Sequence, residues 1–317
     1  MEIWEKRLNT NQKAIELFEQ NDYEEALELF QKALIESRNI QSLNNLAWIY
    51  SYEEENDQKA LELIEEAIAM NPKTYFPYNL LGEIYLRQKK WKLALDTLLK
   101  SISIQPSNEA YHNLALAKYH LGDFTEASNF FLRVAGDSDD VMLSHVKCLI
   151  DLGMKKEAKE KLDAFNPGAD DYVGEIEVAD LYVEMECFEK AIFWFEKGWK
   201  EYLKEPYWVT RYIYSLSNTK NSNRINEVVY EAIQQKDEEI KNAQEEECDE
   251  NWTEDDKEEY IQQLLADKND YKNMVEISSE QIPSIEFEPS ITGGCYLFGC
   301  KRHNHCEYEE VTEEIDF

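Results

Sequence analysis

"YFPYNLLGEIYLRQKKWKLALDTLLKSISIQPSN", residues 75–108, decides how this chain folds. Within it a small residue, Gly82, precedes another, Ala94, by twelve positions, and Leu98 follows four residues later. Small side chains let two antiparallel helices approach closely, and a large residue one turn on fills the hole beside them. Working outward, the small residue recurs at Ala26, Ala60, Ala94, Ala127, Ala158 and Ala191, in steps of 34, 34, 33, 31 and 33 residues. Each is followed four positions on by Phe30, Ile64, Leu98, Phe131, Leu162 or Phe195. The partner small residue is Ala14, Ala47, Gly82, Ala115 and Ala179, with Val146 the exception. One such helix pair cannot bury its apolar face alone, whereas stacked pairs bury a continuous core.

The pattern resembles the tetratricopeptide repeat family. The quoted unit carries the family's Leu81-Gly82 pair, Tyr85 ending the first helix, Trp91 between the helices, Ala94, and the closing Pro106. "NDYEEA" (21–26), "GDFTEA" (122–127) and "ECFEKA" (186–191) repeat the turn. Six repeats cover roughly 7–203. The second has an extra residue in its turn, within "SYEEEND", and the fifth, 139–167, is short and lacks the usual aromatics. A seventh pair at about 205–236 keeps Trp208, Tyr212 and Tyr214 but loses the small-residue code. The resemblance implies an all-α, right-handed solenoid of about six to seven helix pairs. A C-terminal helical extension and a short, irregular Cys/His-containing tail are expected after it. The expected divisions are 1–236 for the solenoid, 237–278 for an acidic helical extension and 279–317 for an extended tail.

In this family the first helix of each pair lines a concave ligand groove. Mapped here, the groove has a polar row of Asn11, Asn44, Asn79 and His112. Ile15, Trp48, Glu83 and Leu116 come one turn on, then Phe18, Tyr52, Arg87, Tyr119 and His120. Asparagine both donates to and accepts from a peptide backbone, and aromatic residues add contact area at low entropic cost. Such a surface suits an extended peptide or a helix. Some relatives clamp acidic chaperone tails with Lys, Arg and two Asn. Here those positions hold Asn11, Ile15, Asn45 and Leu80, so the basic members are missing and that ligand is not expected.

The composition sets further limits. Of 317 residues, 66 are Asp or Glu and 33 Lys or Arg, a formal net charge of −33. Nucleic-acid phosphates and anionic membranes would repel such a chain, so the partner expected is a protein or peptide, of basic character if charge selects it. No apolar run is long enough to span a bilayer, and "MEIWEKRLNT" lacks the basic and apolar parts of a signal peptide. The expected compartment is the cytoplasm, where six cysteines are thiols or metal ligands rather than disulfides.

After the repeats, "RINEVVYEAIQQ" (224–235) has amphipathic helical spacing. Residues 237–259 then hold 13 acids and 2 Lys. This run is a solvated helix or linker, or an electrostatic contact for a basic partner. Thr253, followed by acids, is a helix start. "SEQIPSIEFEPSITGG" (279–294) has two prolines and no helical period, and is expected to be extended and able to fold back into the groove.

"GGCYLFGCKRHNHCEY" (293–308) packs Cys295, Cys300, His303, His305 and Cys306 into twelve residues. Thiolate and imidazole are ligands zinc prefers, and four of the five would close a tetrahedral structural site. Gly293, Gly294 and Gly299 allow a tight wrap, and metal would supply folding energy. The C-x4-C-x2-H-x-H-C spacing is not a standard finger, so a redox disulfide or a reactive thiol beside Lys301 and Arg302 stays open. Cys148 and Cys187 read as small buried residues, Cys248 as exposed, and His145 as an ordinary helix residue. No phosphate loop, nucleophile elbow or HExxH motif occurs. The leading expectation is a non-enzymatic adaptor that binds protein or peptide in its groove, with a zinc-stabilised tail. The alternatives are an acidic inhibitor or immunity-type protein for a basic partner, and a metal-handling or thiol enzyme using the tail.

Overall fold

The computed structural model describes residues 9–168, 172–249, 252–274, 282–285 and 287–308. The chain forms two compact units, Met1–Val134 with Pro289–Phe317, and Ala135–Glu288. Unit 1 contains four antiparallel helix pairs: α1 (Thr10–Glu19) with α2 (Tyr23–Glu36), α3 (Ile40–Tyr52) with α4 (Asp57–Ala69), α5 (Phe76–Arg87) with α6 (Trp91–Ile104), and α7 (Asn108–His120) with α8 (Phe124–Val134). Unit 2 contains α9 (Asp139–Asp151) with α10 (Lys155–Leu162), α11 (Glu175–Glu184) with α12 (Phe188–Gly198), and α13 (Pro206–Asn218) with α14 (Ser222–Glu245). Its last helix is α15 (Glu254–Met274). Among the described residues there is no strand.

The small-residue code is the packing code. The six repeat alanines are at most 1 % exposed, and the six large residues that follow them are equally buried. At Gly82 a Cβ would stand 2.7 Å from Leu98 Cδ2, so α5 and α6 meet at a distance only glycine permits. Each pair turns through one left-handed residue: Asn21 (φ 67), Glu55 (φ 48), Lys89 (φ 55), Gly122 (φ 79), Gly153 (φ 75), Glu186 (φ 62) and Lys220 (φ 60). The amide beyond it closes back on the helix, as in Asp22 N to Leu17 O, Lys90 N to Tyr85 O and Cys187 N to Tyr182 O. In the second repeat the equivalent bond, Asn56 N to Tyr50 O, reaches one residue further, which is the extra residue of "SYEEEND".

The short fifth repeat ends in an eight-residue α10. The seventh pair exists: Trp208 and Tyr212 are buried against Phe195 and Trp199. Position 237, where the acidic extension was expected to begin, lies inside α14, which runs 24 residues to Glu245. The acidic stretch is therefore helical up to that point. Part of its charge has an internal use, since buried Lys236 is ringed by Glu205, Glu239 and Asp267. Thr253 caps α15, with Asp256 N donating to its hydroxyl and its own N–H donating to the Asp256 carboxylate.

Candidate functional site

In unit 1 the inner helices α1, α3, α5 and α7 hold the chain's own residues 290–302. The contacts alternate with the period of an extended chain. His112 Nε2 lies 2.8 Å from Ser290 O. Asn113 donates to Thr292 O at 2.7 Å and accepts from Thr292 N at 3.0 Å. Trp48 Nε1 donates to Gly294 O at 2.9 Å, and Gly294 N donates to the Tyr52 hydroxyl at 3.3 Å. Asn44 donates to Tyr296 O at 2.6 Å. Asn45 donates to Phe298 O at 3.0 Å and accepts from Phe298 N at 2.9 Å, with Gln41 also on that carbonyl. Every even-numbered carbonyl from 290 to 298 is thus taken, and two side-chain amides pair with both polar atoms of a residue as a neighbouring strand would.

Side chains give the segment its anchor. Tyr296, Leu297 and Phe298 are buried, with Tyr296 and Phe298 packed on Phe76 at ring separations of 5.8 and 4.9 Å. Gly293 is needed because a Cβ there would come 2.2 Å from the Tyr52 hydroxyl. Gly299 turns the chain at φ +91. Beyond it Lys301 Nζ lies 2.7 Å from Glu16, and Arg302 Nη2 donates to Glu19 O at 3.2 Å. Burying three large side chains gains about 1.5–3 kcal/mol each, and each hydrogen bond adds about 0.5–1.5 kcal/mol. Ordering the backbone from 290 to 298 costs about 1–2 kcal/mol per residue. The two sides cancel to within a few kcal/mol, so docking is marginal.

Glu83 stands fully buried at the centre, accepting from the Tyr296 hydroxyl at 2.6 Å and from Tyr52. Burial pushes its carboxyl up to about 8, against two phenolic donors and Arg87, which favour the charged form.

Of the expected groove residues, Asn44, Trp48, Tyr52, Glu83 and His112 meet the segment. Asn11 is buried, its Oδ1 without a partner among the described residues. Asn79 bonds to Ser101 and Ser107 and also reaches the Tyr296 hydroxyl of the segment. Arg87 is engaged by Asp57 at 2.7 Å. His120 stacks on Trp91 at 3.9 Å, with Tyr119 edge-on to it. Sequence reasoning omitted Gln41 from the groove, named Asn45 only as a clamp position, and omitted Asn113. A signal for the last two existed: Asn44-Asn45 and His112-Asn113 are tandem pairs two repeats apart in the same register.

Of the five metal candidates, Cys295 Sγ, Cys300 Sγ and His303 Nδ1 lie within 4.8 Å of one another. His305 and Cys306 fall outside that group, although His305 Nδ1 comes within 3.9 Å of Cys295 Sγ. His305 Nδ1 faces Leu297 O at 3.1 Å and its ring packs 4.6 Å from Phe76. Cys306 is exposed and its carbonyl accepts from Gly299 N. All six cysteines are free thiols. Burial pushes the Cys295 thiol up to about 12, with Cys300 and the Glu19 carboxylate adding to the rise. Cys148 is buried as expected, whereas Cys187, at the turn before α12, and Cys248 are both half-buried. Among the described residues no helix is long and apolar enough to cross a membrane.

Comparison with known proteins fits this geometry. A family model described as ChAPs (Chs5p-Arf1p-binding proteins) matches residues 11–123. Comparison with curated proteins gives no match. Among solved structures, a tetratricopeptide repeat protein from Parabacteroides merdae is 18 % identical with a TM-score of 0.57, covering 82 % of this chain and 97 % of that one. Pseudomonas aeruginosa pilF is 20 % identical with a TM-score of 0.50, covering 61 % and 90 %. The fold is that of the tetratricopeptide repeat proteins.

Proposed function

We propose that this chain is a cytoplasmic, non-enzymatic scaffold whose unit 1 groove binds an extended segment of a partner protein, in competition with its own residues 290–302. We further propose that zinc stabilises the C-terminal segment. The observation that carries the groove reading is the row of side-chain amides and indole N–H aimed at alternate backbone carbonyls. Such groups recognise main chain in any sequence, while the pockets filled by Tyr296 and Phe298 select aromatic residues two apart. The family model's description names proteins that bind another protein, which is the same class of task.

The test is a labelled peptide of sequence "PSITGGCYLF" (289–298) added to the full-length chain. A tethered segment competes at an effective concentration on the order of mM. The Gly293→Ala chain, whose own segment collides with Tyr52, should bind the peptide about ten-fold or more tighter than the wild type. Equal, negligible binding by both chains would sink the groove reading.

A second reading, an acidic inhibitor of a basic partner, is favoured by the net charge of −33. It predicts a partner on-rate that falls steeply with salt.

A further inference from the structure

Glu83 is the acid in a row of unit 1 positions that otherwise holds Ile15, Trp48 and Leu116. An apolar side chain would pack there as well, and a buried carboxyl is costly unless donors reach it. Its two oxygens are met from opposite sides. Oε2 accepts from the Tyr52 hydroxyl, which belongs to the groove itself. Oε1 accepts at 2.6 Å from the Tyr296 hydroxyl, which the segment brings, in a buried hydrogen bond. One of the two donors to this carboxyl therefore comes from the occupant. Asn79, one turn earlier on α5, reaches the same Tyr296 hydroxyl and is itself held by Ser101 and Ser107.

The same carboxyl sets a second requirement. Its bond to Tyr52 fixes that ring, stacked 4.8 Å from Trp48, where the segment passes. Gly294 N donates to the Tyr52 hydroxyl at 3.3 Å, and a Cβ on residue 293 would come 2.2 Å from it. Glycine is thus demanded three residues before the tyrosine. Two residues after it, Phe298 packs on Phe76 at 4.9 Å. A phenylalanine at 296 would fill its pocket with the same ring, so buried area does not separate the two residues. The hydroxyl separates them, because without it a buried carboxyl oxygen loses its donor.

We propose that Glu83 makes the unit 1 groove selective for partner segments of the pattern Gly-x-x-Tyr-x-Phe, read through the tyrosine hydroxyl, and that residues 293–298 are the chain's internal copy of that pattern. This rests on the groove reading above and names the chemistry of the occupant. A phosphoryl group on the tyrosine would bring roughly two negative charges against the Glu83 carboxyl, so the groove takes the unmodified phenol and excludes the phosphorylated one.

The experiment titrates the full-length Gly293→Ala chain with labelled peptides spanning 289–298: the native sequence, its Tyr296→Phe and Gly293→Ala variants, and the peptide phosphorylated at Tyr296. The native peptide should bind tightest, and each of the others on the order of ten- to a hundred-fold more weakly. Adding Glu83→Leu to the chain should erase the preference for tyrosine over phenylalanine, whereas Glu83→Gln, which keeps an acceptor, should retain most of it. In the otherwise unaltered chain, Tyr296→Phe should speed hydrogen exchange at the Phe298 amide without loss of helical circular dichroism. Equal affinity for the tyrosine and phenylalanine peptides would overturn the selection while leaving the groove reading in place, as would a phosphorylated peptide that binds as tightly as the native one. A tyrosine preference that survives Glu83→Leu would overturn the assignment to Glu83. Binding of none of the peptides would remove the groove reading and this proposal with it.

Discussion

The two units hold successive stretches of one C-terminal segment at the same helical register, by opposite chemistry. The position after the small residue of each first helix is Ile15, Trp48, Glu83 and Leu116 in unit 1, and Lys147 and Asp180 in unit 2. Arg211 follows 31 residues on, in α13. In unit 1 neutral amides and an indole meet residues 290–298. In unit 2 charged side chains face the segment, held by ion pairs among themselves, and Ile282, Ile285 and Phe287 pack on the core. Arg211 is fully buried, pairs with Asp180 and Glu184 at 2.8 Å each, and donates to Pro283 O. Lys147 lies 6.0 Å from the Phe287 ring. A buried ion network is all-or-none, because removing one member strands another charge. Amide contacts can be exchanged for another peptide's or for water at modest cost. Unit 2 therefore has a fixed inner face, and unit 1 a replaceable one.

The sharpest way to break this contrast is a pair of truncations. Arg211→Ala, which leaves Asp180 and Glu184 without their partner, should destabilise the chain by about 3–5 kcal/mol in urea unfolding. Asn45→Ala should cost about 1–3 kcal/mol, read as faster exchange at Phe298 with the global midpoint almost unmoved. Similar global losses from both would show that the unit 1 segment is as integral as the ion network.

A smaller effect concerns pH. Glu83 is raised from an unfolded value of 4.5 to about 8, so the folded form holds a proton that the unfolded form has released. Its contribution is fully present below pH 4.5 and is lost as pH rises towards 8. Urea midpoints should fall from pH 5 to pH 8, and Glu83→Gln should flatten that slope. A wild-type midpoint that rises across this window would mean that the carboxylate is charged when buried.

The smallest effect lies in the turns. Lys89 and Glu186 occupy left-handed positions that Gly122 and Gly153 fill elsewhere. Replacing either with Gly should stabilise its unit by about 0.5–1 kcal/mol, because the Cβ penalty disappears. Thermal melting of the two single variants checks this in both units.

Much of the fold was legible because its determinants are local and repeated. The 34-residue small-and-large code specifies which helices pair, and each turn restates it. The site was legible in part. Asn44, Trp48 and His112 were found because the repeat register carries them to one face. Asn113 and Gln41 were missed because their task is defined by the residue opposite, not by their own spacing. Arg87, Tyr119 and His120 share the face, but Asp57 and Trp91 occupy Arg87 and His120, contacts that no repeat pattern encodes.

The sequence by itself determined the helix pairs, their turns, the acidic surface and the crowding of Cys295, Cys300, His303, His305 and Cys306 into one loop, since each follows from residues within one repeat or one short stretch; which three of the five come together was decided by the structure. Only the tertiary structure decided that residues 290–302 lie in the unit 1 groove, that Glu19 faces Cys300, and that His305 turns to a carbonyl. The groove and Glu19 contacts join residues 178 to 285 positions apart, while His305 reaches a carbonyl 8 residues away that its own loop brings round. An extended segment carries no period that names its partner, and its place is set by amides and pockets that exist only once the helices have stacked.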